Sequence, residues 1–390
     1  MKSDKSTPNV PTLRFKQYDD KWTICNLSDI ASVVGGGTPD TTDPLLWNGN
    51  VQWFTPTEVG HSKYVSKSVR TISRLGLQKS SAKVLPKGSI LLSSRATVGE
   101  CSIVKNECTT NQGFQSLIPR KGINNEFLYY LTRTKKKHFI KYASGSTFLE
   151  ISNSEIKKTK CAVPCIDEQA KIAEFLSLLD EKIETQNKII EDLKILRKEL
   201  CNKVFQSFQC VRLGDYIEEI TTRNRSNYCD NVLSVSNKLG FVKQSEQFED
   251  RTIASEDKRN YKVVTTGCFA YNPARINVGS IALLSSDTKG IISPMYICFR
   301  AKDGLSAEYL NFYYQSVFFF KELQKRLEGS VRQCLTYENM CDMQIPFAEA
   351  ERQEEIADTL RQFACLIEKE EKYLRLLQRQ KAYFLNAMFI

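Results

Sequence analysis

The stretch EQAKIAEFLSLLDEKIE runs from Glu168 to Glu184, and RQEEIADTLRQFACLIE runs from Arg352 to Glu368. Laid over one another, Gln169 meets Gln353, Ile172 meets Ile356, Ala173 meets Ala357, Leu176 meets Leu360 and Ile183 meets Ile367. The chain writes one helical entry twice. The fold turns on whether the rest of the chain repeats with it.

It does. Shifted by about 180 to 184 residues, the sequence matches itself in order over most of its length. PKGSILLSSRATVG, ending at Gly99, lies over TTGCFAYNPARINVG, ending at Gly279. EFLYYL (Glu126–Leu131) lies over EYLNFY (Glu308–Tyr313), and ASGSTFLEIS over LEGSVRQCLT. Self-similarity at a fixed period marks duplicated structural units.

The helical match extends C-terminally with steps of four and three. The first half reads Ile172, Leu176, Leu179, Ile183, Gln186, Ile190, Leu193, Arg197, Leu200, Val204. The second reads Ile356, Leu360, Phe363, Ile367, Glu370, Leu374, Leu377, Lys381, Phe384, Met388. The polar interruptions coincide: Gln186 with Glu370, Arg197 with Lys381. Sustained 4-3 spacing is a coiled-coil seam, and about 40 residues at ~1.5 Å each make a rod of roughly 60 Å. One such helix would expose its seam, whereas two in one chain bury each other. The competing reading is ordinary core packing of each stripe. Arg197 and Lys381 either reach acids on the partner helix or project to solvent.

The segments before the helices read as short strands and loops. KGSILLSS, CSIVK and FQSLIP are strand-like in the first; GCFAYN, GSIALL and MYICFR in the second. Each is followed by one helical stretch, EFLYYLTRTKKKHFIKYA or AEYLNFYYQSVFFFKELQKRL, whose aromatics suit core packing. The expected class is α+β: two tandem, mainly β modules with two long helices and a pseudo-two-fold internal repeat. The expected boundaries are an N-terminal segment 1–20, modules at 21–165 and 209–347, and helices at 166–208 and 348–390.

Polar loops between the strands carry side chains able to touch DNA. Arg-x-x-Val-Gly occurs twice, with Arg95, Thr97, Val98 and Gly99, then Asn272, Arg275, Asn277, Val278 and Gly279. Arg pairs with guanine through two hydrogen bonds, and Asn or Gln does so with adenine. A second loop class holds Ser146 and Thr147, then Arg332 and Gln333. GGGTPDTT and WFTPTE add Thr38, Thr41, Thr55 and Thr57; the second-half counterpart of GGGTP is TTRNRSN, with Arg223 and Arg225. Lys135 and Lys136, with Lys137, form either a phosphate-facing strip or a solvated helix face. The bland alternative for any one of these residues is a turn-forming or solvated side chain, and the repeated glycine serves a tight turn.

The composition fits this reading. The chain has 390 residues, enough for two domains, and carries a net charge of +10. A basic surplus favours a polyanion partner. The 13 cysteines lack a Cys-x-x-Cys pair, and His61 and His138 are the only histidines, so free, mostly buried thiols are expected and no metal site. No long apolar run or signal core is present, so a cytoplasmic location is expected.

Catalytic motifs fail on their spacing. SPMY (Ser293–Tyr296) has Met295 where an amino-methyltransferase turn needs a second proline, and it sits in a strand-like run. NPAR ends on Arg275, and VGGGTP is not followed by a helical pattern. The chain reads as non-catalytic.

The whole layout resembles the specificity subunit of type I restriction-modification systems. The carrying stretches are VPTLRFKQYDDKWTICNLSDIASVVGGGTP, PKGSILLSSRATVG and PCIDEQAKIAEFLSLLDEKIE, with their second-half echoes; the Glu-Gln-x-x-Ile-Ala helix entry is the most specific. The resemblance implies two target-recognition domains, each reading half of an asymmetric, interrupted DNA site, and helices packed as an antiparallel coiled coil. It implies docking of two modification subunits that methylate adenine with S-adenosylmethionine, and of motor-nuclease subunits that use ATP and Mg2+. No cofactor is expected in this chain. A silent or variable copy, a stand-alone DNA-binding regulator and a coiled-coil assembly protein are the alternatives; salt-sensitive DNA binding and co-purification with a methyltransferase separate them.

Overall fold

The computed structural model describes residues 10–145, 149–237, 239–244, 257–329 and 333–390. It resolves two compact units. The first comprises residues 1–185 and 373–390, and the second comprises the continuous stretch 186–372.

In the first unit the strands are β1 (Thr23–Asn26), β2 (Ala31–Gly35), β3 (Trp47–Phe54), β4 (Tyr64–Val65), β5 (Arg70–Ile72), β6 (Ile90–Leu92), β7 (Cys101–Val104), β8 (Thr109–Thr110), β9 (Gln115–Pro119) and β10 (Lys160–Val163). They form a five-stranded sheet in the order β2-β9-β6-β7-β4, a three-stranded sheet β5-β3-β8 and the pair β1-β10. All three residues of β6 and all four of β7 are buried, which is why these stretches read as continuous apolar runs rather than alternating ones.

The second unit contains β11 (Cys210–Arg212), β12 (Ile217–Glu219), β13 (Val232–Ser236), β14 (Gly240–Lys243), β15 (Lys262–Val264), β16 (Cys268–Tyr271), β17 (Ile281–Leu283), β18 (Gly290–Ile292), β19 (Ile297–Ala301) and β20 (Gln344–Pro346). Its sheets are β12-β19-β16-β17, β14-β13-β18-β15 and β11-β20. The antiparallel pairs β2-β9, β6-β7 and β1-β10 return as β12-β19, β16-β17 and β11-β20. The repeat in the sequence is therefore a repeat of strand pairing.

The aromatic helical stretch of each half is two helices where the sequence suggests one. Asn125–Thr134 is followed by Lys136–Tyr142, and Ala307–Tyr313 by Val317–Gln324. In the second unit the break is made by Ser316, whose side chain accepts from the Phe319 amide and so starts a new helix.

The long helices are Ile166–Val204 and Ala350–Ala387. Every one of the twenty 4-3 positions is buried or half-buried. Each unit holds one end of both helices, and within each unit the two run antiparallel. In the first unit Phe175 packs on Phe384 at 4.9 Å and Lys182 lies over the Tyr373 ring. In the second, Leu200 and Val204 pack against the cluster holding Ile356 and Leu360, while Gln186 reaches Glu370.

The polar seam positions have partners. Gln186 donates to the Glu370 carboxylate. Lys381 pairs with Asp180, which also accepts from the Tyr130 hydroxyl at 2.5 Å. Arg197 donates to Gln315 Oε1 at 3.1 Å. The two basic residues thus meet different groups, since Ala364 stands at the repeat position of Asp180 and offers no carboxylate.

The Gln of the helix entry is a clamp. Gln169 Oε1 accepts from the Asn124 amide, and its Nε2 donates to the carbonyls of Gly122 and Pro164. Gln353 Oε1 accepts from the Ser306 amide, and its Nε2 donates to the carbonyls of Gly304 and Ala348. Both side chains are buried, and both tie the start of a long helix to the cap of the preceding aromatic helix.

All thirteen cysteines are thiols: six are buried and three, Cys165, Cys210 and Cys365, are exposed. Among the described residues no helix is long and apolar enough to cross a membrane.

Candidate nucleic-acid interface

The repeated Arg-x-x-Val-Gly loop is the connection of one hairpin in each unit. It joins β6 to β7 and β16 to β17. Gly99 and Gly279 hold φ of +85° and +86°, the left-handed turn conformation that a side chain disfavours. Arg95, Thr97, Arg275 and Asn277 are exposed. Arg95 faces Glu150 at 3.9 Å.

The two valines part company. Val98 is 5% exposed and sits in the first core, whereas Val278 is 59% exposed. In the second unit the loop closes as the short 3-10 turn Ile276–Val278, and Ile276 takes the inward place. Arg275 caps that turn, and the Asn272 side chain accepts from the Ala274 amide. The shared sequence therefore encodes a shared glycine turn with different presentation.

The second class of loop lies beside the first in both units. Ser144 and Glu150 exchange two backbone hydrogen bonds at 2.9 Å, and Ile151 donates to the Ser94 carbonyl at 2.9 Å. Glu328 and Cys334 repeat the exchange at 2.9 and 2.8 Å, and Leu335 donates to the Pro273 carbonyl at 3.1 Å. Gln333 is exposed on this second bridge. Ser146, Thr147 and Arg332 lie outside the described residues.

Further loops join the same rim in the first unit. The Thr97 hydroxyl donates to the Pro56 carbonyl at 3.3 Å, and the Ser94 amide to the Gly113 carbonyl at 2.8 Å. The Asn111 amide donates to Phe54, and the Gly37 amide to Thr110. The Thr38 hydroxyl donates to Gln112. Thr38, Thr57, Arg95, Thr97 and Gln112 are thereby brought to one edge. Gln112 and its turn Asn111–Gly113 escaped the sequence reading; an Asn-Gln-Gly tripeptide between two strand-like runs was the available signal.

The GGGTP loop owes its course to two tryptophans. Trp53 Nε1 donates to the Gly37 carbonyl and Trp47 Nε1 to the Asp40 carbonyl, both at 2.9 Å. The indoles meet edge to face at 5.0 Å, and the Arg70 guanidinium lies 3.6 Å from the Trp47 ring centre. A Cβ on Gly36 would stand 2.0 Å from the Asn111 carbonyl oxygen, so the loop approaches too closely for any side chain there.

Other expected contacts are placed differently. Thr55 spends its hydroxyl and amide on Glu58 as a helix cap. Lys135 turns to the Ile390 carbonyl at 2.8 Å, and burial lowers its pKa. Lys136 pairs with Glu100 and packs along Gly99. Lys135 and Lys136 are thus engaged within the unit and half-buried, while Lys137 is exposed. Arg223 bridges to Lys262 and donates to Asn260, which sets it at the edge of β15, with exposed Arg225 following. SPMY is a turn between β18 and β19, not a strand, with Met295 61% exposed. Among the described residues no group of three or more His, Cys, Asp or Glu is placed to hold a metal.

Behind the rim, Glu126 collects a polar cluster. It accepts from Lys63 at 2.8 Å, from Ser177 at 2.7 Å and from the Tyr64 hydroxyl. Burial pushes its carboxyl up, but these donors outweigh it and hold it below the usual value.

Comparison with known proteins points one way. Residues 19–194 match the type I restriction modification DNA specificity domain. The chain is 36% identical over 200 residues to the MjaIX specificity subunit of Methanocaldococcus jannaschii, covering 50% of this chain and 46% of that one. It is 27% identical over 175 residues to the EcoR124I/EcoR124II specificity subunit of Escherichia coli, 43% of each. These matches span less than half the length of either relative. The MjaVIII specificity subunit is 23% identical over 412 aligned positions, covering 97% of this chain and 95% of that one. Among solved structures, the type I system S subunit from M. genitalium superposes with a TM-score of 0.56 at 14% identity, covering 98% of this chain and 99% of that one. A chain from a study of complex assembly in the type I R-M system gives 0.60 at 18% identity, covering 94% and 96%. At such identities the structures speak for the fold alone.

Proposed function

We propose that this chain, a member through its residues 19–194 of the type I restriction modification DNA specificity family, is the non-catalytic DNA-recognition subunit of such a complex. Each unit reads one half of an asymmetric, bipartite site in double-stranded DNA. The modification subunits, which dock on the chain, carry S-adenosylmethionine and methylate adenine; the motor-nuclease subunits bring ATP and Mg2+. Methylation needs the adenine out of the stack, in a pocket that belongs to the modification subunit.

One observation carries the reading. In both units the glycine-turn loop and the Gly-Ser loop are bonded edge to edge, through Ile151 to Ser94 and through Leu335 to Pro273. Two loops chosen separately for their DNA-contacting chemistry thus share one rim, and this occurs twice. The rims differ in detail: Thr38 and Gln112 in the first, Asn272 and Asn277 in the second. Two unlike readers in one chain suit a site of two unlike halves. Phosphate contacts fix position and base contacts supply sequence. Arg95, Thr97, Arg275, Asn277 and Gln333 are the side chains we assign to this work.

The test is genome-wide adenine methylation in the host with and without the gene. Loss of a single gapped, two-part motif on deletion is the expected result. An unchanged pattern overturns the reading of this chain as an active specificity subunit.

A further inference from the structure

We infer that Gln112 reads a base, an adenine by its chemistry, in the half-site taken by the first unit. The inference rests on the DNA-recognition reading above and goes beyond it to one side chain.

Gln112 is exposed at the tip of the turn between β8 and β9. The turn beneath it is fixed. Asn111 Oδ1 accepts from the Gly113 amide at 2.9 Å, and Gly113 itself lies so close to Pro56 that a Cβ would stand 2.9 Å from the ring. The carboxamide is oriented as well, because the Thr38 hydroxyl donates to Gln112 Oε1. Thr38 is in turn held between two pinned carbonyls, Gly37 by Trp53 and Asp40 by Trp47.

An exposed glutamine on a protein surface normally samples many rotamers. Here three layers of contact, from the indoles to Thr38 to the carboxamide, limit that freedom before any ligand arrives. Such preorganisation lowers the ordering cost of binding. The Thr38 bond occupies one lone pair of Oε1 and leaves the second. A carboxamide offers a donor and an acceptor side by side, and adenine presents the matching N7 and N6 in the major groove. A phosphate presents acceptors only and would leave the acceptor half unused.

The second unit lacks the device. Its turn at the same place is SPMY, with Pro294 where Gln112 stands and an apolar Met295 beside it. A contact needed for general hold on the backbone would serve both halves of a site. A contact present in one unit belongs to the sequence of one half-site.

The experiment sequences methylated adenines in host cells carrying the unaltered gene, Gln112→Ala or Gln112→Glu, each in its own complex. Gln112→Ala is expected to relax one base pair of one half-site by roughly 10- to 100-fold and to leave the other half strict. Gln112→Glu, now all acceptor, is expected to move that position away from adenine. The melting temperature of the purified full chain is expected to be unchanged in both, since the side chain is exposed. An unchanged motif in both variants overturns the inference, as does a uniform fall in methylation at every site, which marks a phosphate contact. If the unaltered gene yields no two-part motif, the functional reading fails first and is recognised without reference to the variants.

Discussion

Phe389 stacks on Phe127, ring centroids 5.3 Å apart, inside the core of the first unit. Phe205 meets Tyr309 at 5.1 Å in the second. These are the same contact 184 and 182 residues on: the phenylalanine just past the end of each long helix closes the core of the unit that holds that end. Trp22 joins the first contact, and Leu13 and Thr12 both donate to the Ala387 carbonyl that ends the helix.

Phe389→Ala is therefore expected to destabilise the first unit, and Phe205→Ala the second, by about 3–5 kcal/mol each. Differential scanning calorimetry of the purified chain checks it. Two variants that both lower the transition by less than a degree would show that neither ring closes a core.

Gln169→Ala and Gln353→Ala each remove a buried side chain making three hydrogen bonds to backbone, one of them to the buried carbonyl of Pro164 or Ala348. A buried group left without its partner costs about 1–3 kcal/mol. Denaturant titration is expected to show losses of that size or larger in each variant. The two losses are expected to be alike, since the three partners are alike.

Arg95→Ala is expected to relax one half-site and Arg275→Ala the other, read as the methylated motif. The Arg95 side chain is exposed and faces Glu150 at 3.9 Å, while the turn itself is set by the left-handed Gly99. Equal loss over unrelated DNA sequences would make Arg95 a phosphate contact instead. Raising the salt concentration is expected to weaken binding by both variants and the parent.

Glu126 gives a pH signature. Its carboxyl is held below the ordinary 4.5 because Lys63, Tyr64 and Ser177 outweigh the effect of burial. A group depressed in the folded state contributes stability above its unfolded value, and that contribution fades as pH falls through the folded value. Acid titration of unfolding is expected to show this fade below about pH 4.5 in the parent and a shallower slope there in Glu126→Gln.

How legible all this was in the sequence depends on range. The long helices were plain, because 4-3 spacing uninterrupted by Gly or Pro is a local signal that full or partial burial then follows at all twenty positions. The strands β6, β7, β16 and β17 were legible as apolar runs. The pairing of β3 with β8 was not, since parallel neighbours over 50 residues apart leave no local trace. The candidate site divides in the same way. Arg95 and Arg275 stood out because the repeat underlined them, yet the same alignment paired Val98 with Val278, one buried and one exposed. Lys135 and Lys136 looked like a surface strip because their partners, Ile390 and Glu100, lie far away in sequence. Gln112 was overlooked because its orienting partner Thr38 is 74 residues distant.

The composition of the first unit from residues 1–185 and 373–390 bears on how the chain folds as it is made. A ribosome delivers the body of that unit before the second unit, but Phe384, Met388 and Phe389, which complete its core, emerge after the second unit. The second unit, continuous from 186 to 372, has all its parts in hand earlier. The first unit thus closes its core after the second, and a chain released after residue 372 holds one closed core and one open one.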